Sequence, residues 1–79
     1  MRIYIQDSKG KEVPVDDVYD STKVKELKEK IKNITKMSKS PELAYCGYNL
    51  EDDDTLEVYD IQENVHVICF QQFPAGLNK

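Results

Sequence analysis

The chain has 79 residues and a mass of 9.2 kDa, which is one domain or part of one, because a second hydrophobic core would need roughly 50 more residues. Charged residues make up 33% of it and apolar ones 39%, without tryptophan, so the core is small and built from Ile, Leu and Val, and no two-lobed catalytic cleft is expected. A formal charge of −4 argues against nucleic acid and anionic membrane as partners, since both need clustered cations.

The elements follow in chain order. Met1, Ile3 and Ile5 alternate with Arg2, Tyr4 and Gln6, the period-2 pattern of a half-buried strand. Asp7-Ser8-Lys9-Gly10 then forms a turn, with Gly10 free to take positive φ, and Val13 and Val15 share one face of a second strand. Pro14 cannot donate to a ladder and places that strand at a sheet edge. Thr22 is the expected N-cap of a helix whose stripe is Val24, Leu27, Ile31 and Ile34, ended by Ser38, Ser40 and Pro41. Leu43 to Tyr45 is a short strand and Gly47 supplies a turn before a brief return to Leu50. Thr55 caps one helical turn through Leu56 and Tyr59. The last strand alternates Val65, Val67 and Cys69 with His66, Ile68 and Phe70. From Gln71 onward the sequence loses its period, so 71–79 is expected to be a flexible tail or the start of a linker, after a domain spanning 1–70.

One helix cannot cover two sheets, so the economical packing is α+β: a single mixed sheet wrapped on one main helix. The expected core is Ile3, Ile5, Val13, Val15, Val18, Val24, Leu27, Ile31, Leu43, Leu50, Leu56, Tyr59, Ile61, Val65 and Val67. At about 1.5–3 kcal/mol for each fully buried large side chain, such a core offsets the ordering entropy without a disulfide.

Charge is segregated: residues 21 to 40 carry seven cations and two anions, residues 41 to 64 eight anions and no cation. Cys46 and Cys69 lack a CxxC partner and a secretory signal, so both are expected reduced, and the chain is placed in the cytoplasm, the nucleus or both. With one histidine no closed Cys/His zinc site forms. Asp52, Asp54 and Glu63 imitate a calcium loop, but Leu56 and Glu57 stand where a ligand and glycine are needed. No cofactor or metal is expected, and no catalytic residue set is present, so the chain is not read as an enzyme.

Several of these segments, taken together, point to one family. Met1-Arg2-Ile3-Tyr4-Ile5, Gly10-Lys11, the helix Val24 to Ile31, Leu43-Ala44-Tyr45-Cys46-Gly47, Leu50-Glu51-Asp52, Asp54-Thr55-Leu56 and Tyr59-Asp60-Ile61-Gln62 resemble ubiquitin and its relatives from residue 1 to about residue 70. The resemblance implies a β-grasp fold. It also implies a recognition face at the positions of Ser8, Ala44, His66 and Ile68, where the family has leucine, isoleucine, histidine and valine. Gly47 and Tyr48 adjoin it, and Tyr4 and Phe70 are exposed aromatics nearby. Ala44 for isoleucine removes three carbons, about 2 kcal/mol if all are buried in a complex, so receptors built for ubiquitin are expected to bind weakly. The family's conjugating Gly-Gly is absent, and its best-known chain-forming lysines are replaced by Tyr48 and Glu63.

The resemblance therefore implies a non-conjugating, monomeric ubiquitin-like domain. It is expected at the N-terminus of a larger protein, docking ubiquitin-pathway or proteasome proteins through Ala44, Gly47, Tyr48, His66 and Ile68. A free-standing modifier matured after Gly76 is the first alternative. A β-grasp adaptor unrelated to ubiquitin signalling, reading partners through acidic residues 51 to 63, is the second.

Overall fold

In the computed structural model, which describes residues 1–74, the first alternating run becomes β1 (Ile3–Gln6) and returns as β2 (Glu12–Val15). The helix α1 spans Val24–Thr35, β3 is Leu43–Tyr45, β4 is Tyr48–Asn49, and β5 is His66–Cys69. The sheet order is β2-β1-β5-β3-β4, with β1 and β5 parallel at the centre and the other pairs antiparallel. This mixed sheet on one main helix is the β-grasp arrangement. Pro14 lies on an edge strand, where its missing N–H interrupts no ladder.

The inner face of the sheet carries Ile3, Ile5, Val13, Val15, Leu43, Val67 and Cys69, all buried. Thirteen of the fifteen expected core residues are buried; Tyr59 and Val65 are partly buried against the core, and Cys69 and Phe73 complete it.

The helix departs from its expected stripe at both ends. Val24, Leu27 and Ile31 face the core, but Ile34 is exposed and Thr35 is buried instead. Residue 35 is eleven positions from Val24, just over three full turns at about 3.6 residues each, whereas residue 34 is rotated off the stripe. The Thr35 hydroxyl remains satisfied by donating to the Ile31 carbonyl at 2.7 Å. Thr22 does not cap the helix: its hydroxyl accepts from the Tyr19 amide at 2.9 Å and closes the preceding turn. The N-cap residue is Lys23, whose amide donates to the Glu26 carboxylate at 2.8 Å. The first-turn amides of Val24 and Lys25 donate to the carbonyls of Asp54 and Asp52. The acidic loop thus supplies, through its backbone, the acceptors that a helix start needs.

Thr55 stands at the N-cap of the 3₁₀ turn Leu56–Tyr59, as expected, though its hydroxyl makes no capping bond. Tyr59 reaches back over the acidic loop: its hydroxyl accepts from the Glu51 amide at 2.8 Å and donates to Asp54 Oδ2 at 2.7 Å.

The β3–β4 turn is two residues long, and both take positive φ, Cys46 at 52° and Gly47 at 82°. This is the type I′ geometry, which favours Asn-Gly and strains any other side chain at its first position. Cys46→Asn is therefore expected to stabilise the domain by about 0.5–1 kcal/mol, read as a higher urea midpoint at unchanged slope. A lower midpoint would refute the turn assignment.

The sequence reading of 71–79 as a tail needs correction over its first residues. Phe73 is 2% exposed and belongs to the core. Gln71 accepts from the Ser8 amide through its carbonyl and from the Glu42 amide through Oε1. A single aromatic directly after the polar pair Gln71-Gln72 has no period, and only its burial identifies it. Ala75 to Lys79, including the expected cleavage point after Gly76, lie outside the described residues.

Candidate functional site

The register assembles the outward face of the sheet row by row. Pro14, Tyr4 and His66 are cross-strand neighbours, and so are Glu12, Gln6, Ile68, Ala44 and Asn49. Ala44 and Ile68 are directly paired, and His66 precedes Ile68 by two residues on the same side. Ile68 is 41% exposed and Phe70 50%, so an open apolar strip runs along the end of β5. Three expected site residues, Ala44, His66 and Ile68, thus share one surface.

His66 has a neighbour on both sides. Its ring stacks on Tyr4 with centroids 5.2 Å apart and planes at 21°, and its Nδ1 lies 2.6 Å from Glu12 Oε2. The histidine presents a fixed face to a partner instead of a freely rotating one. Ser8 is exposed on the β1–β2 turn, where its amide donates to the Gln71 carbonyl at 3.3 Å.

Tyr48 is placed elsewhere. Across the two-residue turn Tyr45 pairs with Tyr48 and Ala44 with Asn49, so Asn49 shares Ala44's face and Tyr48 lies on the other. Tyr48, 66% exposed, lines a separate cavity with Cys46, Val58, Tyr59 and Asp60. Gly47 sits at the exposed turn between the two surfaces. Asn49 and Gln6 are face residues that sequence reasoning missed, although the alternation from Tyr4 to Gln6 carried the signal for the second.

Beneath the face, Asp7 ties the β1–β2 turn to the segment after β5. Only 4% of this residue is exposed. Oδ1 accepts from the amides of Lys9 at 2.9 Å and Lys11 at 2.8 Å, and Oδ2 accepts from the Phe73 amide at 2.8 Å. Burial alone would raise its pKa; the amides of Phe73, Lys11 and Lys9 outweigh burial and hold the carboxyl below its ordinary value. Cys69 is buried, and burial pushes its thiol up, away from reactivity. Cys46 is exposed.

A mixed five-strand sheet wrapped on one helix defines the class: a small β-grasp domain. The chain matches the Ubiquitin family over residues 3–73, and it belongs to that family. No curated protein matches it. Domains of this family generally serve as protein-interaction or modifier modules. No helix among the described residues is long and apolar enough to cross a membrane.

Proposed function

We propose that this ubiquitin-family domain is a non-covalent docking module for ubiquitin-pathway or proteasome proteins, carried as a monomeric unit at the N-terminus of a larger cytoplasmic or nuclear protein. The observation that carries the reading is the direct pairing of Ala44 with Ile68 on an open face that also holds His66 and Phe70. Docking is supported over conjugation by the residues that follow β5. Phe73 is buried and its amide is bonded to Asp7, so the segment directly after β5 is part of the packed domain. The Gly-Gly of conjugated relatives is also missing from the sequence.

Titrating the ¹⁵N-labelled domain with purified proteasome is expected to broaden the amide signals of Ala44, His66, Ile68 and Phe70. Ile68→Asp, an exposed substitution, is expected to abolish the effect while leaving the spectrum folded. Unchanged signals, or broadening confined to Lys25, Lys30 and Lys32 on the helix, would overturn the surface and the partner together.

A further inference from the structure

The open sheet face runs directly into a cleft of opposite character. Phe70 and Asn49, which belong to the face, also line a cleft of about 730 Å³ beside β4. Five carboxylates, Glu42 and the run from Glu51 to Asp54, line it against one ammonium, Lys28, a formal surplus of four negative charges. Lys28 is itself buried and engaged, with its Nζ 2.6 Å from Asp52 Oδ1 and 3.7 Å from Glu42 Oε1. Lys25 lies 3.8 Å from Asp53 in a pair exposed on both sides, which contributes little. Glu51 and Asp54 have no ion-pair partner among the described residues.

This field is fixed in place. The carbonyls of Asp52 and Asp54 are committed to the first amides of α1, and the Tyr59 hydroxyl holds the Glu51 amide and the Asp54 carboxylate. The loop backbone is thereby fixed to the helix start, and the carboxylates of Asp52 and Asp54 are held by Lys28 and Tyr59. Among the described residues no three His, Cys, Asp or Glu side chains are grouped to hold a metal ion. The negative potential therefore suits an extended organic cation. No paired strand residue on the adjoining face is lysine or arginine.

We propose that the partner docked on this face is a cationic amphipathic segment, whose apolar side chain seats on Ala44 and Ile68 while a lysine or arginine beside it enters the acidic cleft. This deepens the docking reading above and rests on it. Phe70 forms the seam. Half exposed at the mouth of the cleft, it offers its ring to an arginine guanidinium whose N–H groups meet Glu42 and Glu51. An acidic partner with the same apolar anchor meets like charge at the same place and is rejected, which is selection by repulsion as much as by attraction.

The test uses two helical peptides with the same leucine stripe, one flanked by arginine and lysine and the other by glutamate, each titrated into the ¹⁵N-labelled domain. The basic peptide is expected to bind at least about tenfold more tightly at low salt, shifting Ala44, Asn49, Ile68 and Phe70, and the preference is expected to shrink as salt screens the cleft. Glu42→Lys combined with Glu51→Lys, both on exposed side chains, is expected to reverse the preference, with a well-dispersed amide spectrum certifying the fold. Equal binding, or tighter binding of the acidic peptide, with Ala44 and Ile68 still shifting overturns the cationic partner and leaves the docking face standing. If neither peptide moves Ala44 and Ile68, both the face and its partner fall.

Discussion

Phe73→Ala is expected to destabilise the domain by about 3–5 kcal/mol, the cost typical of emptying a buried aromatic site. A domain of this size has a total stability on the order of 5–10 kcal/mol, so the variant should sit near the edge of folding. The residue lies beyond the point where periodicity ends, yet it is 2% exposed and part of the continuous core. Urea unfolding followed by far-ultraviolet circular dichroism measures the effect, because the midpoint falls while the slope holds if the native core shrinks without changing the unfolded chain. A chain ending at Phe70 should lose at least as much, since it also removes the Gln71 contacts to Ser8 and Glu42. A loss below about 1 kcal/mol in the alanine variant, the range of surface changes, would mean that the segment after β5 is an appendage to the fold.

The alternation of Ile3 and Ile5, of Val13 and Val15, and of Val67 and Cys69 made the strands legible because each has one buried and one solvated face. Pro14 marked the edge for a reason that needs no neighbour, its missing donor. What failed depended on geometry that a linear pattern does not carry. Residues 44 and 48 are an even number apart, so simple alternation puts them on one face. The two-residue turn pairs 45 with 48 and 44 with 49, and this reverses the parity and sends Tyr48 to the other side. Thr22 was the better capping side chain by type, yet its hydroxyl was taken by Tyr19, and the amides of the first helical turn found acceptors in a loop about thirty residues away. The candidate site was legible where it lay on β3 and β5, and illegible where it depended on long-range ties such as that between Asp7 and Phe73.

That tie yields the last prediction. Asp7→Ala removes the acceptor of three backbone amides, of which the Phe73 amide is buried while those of Lys9 and Lys11 can partly return to water. With a buried unpaired donor costing about 1–3 kcal/mol, the variant is expected to lose about 2–4 kcal/mol. Asp7→Asn should lose less, because its single amide oxygen can still serve Lys9 and Lys11, but its amino group would face the Phe73 amide donor to donor. The wild-type contribution has a definite pH dependence. The carboxyl is held below its ordinary value in the fold, against a value of about 3.9 in the unfolded chain, so the folded state favours the ionised form. Its stabilisation is fully present above about pH 4 and is lost as pH falls through the folded value, because the unfolded chain then binds the proton first. The stability gap between wild type and Asp7→Asn should thus be constant near neutrality and close as pH is lowered from about 4 towards 2. A gap that persists undiminished at the acid end would assign the cost to shape, not to the carboxylate. Pairing Asp7→Ala with Phe73→Ala adds a second check. If the carboxylate acts by fastening the segment that carries Phe73, the two losses will fall short of additivity by at least about 0.5 kcal/mol, whereas independent sites would simply sum.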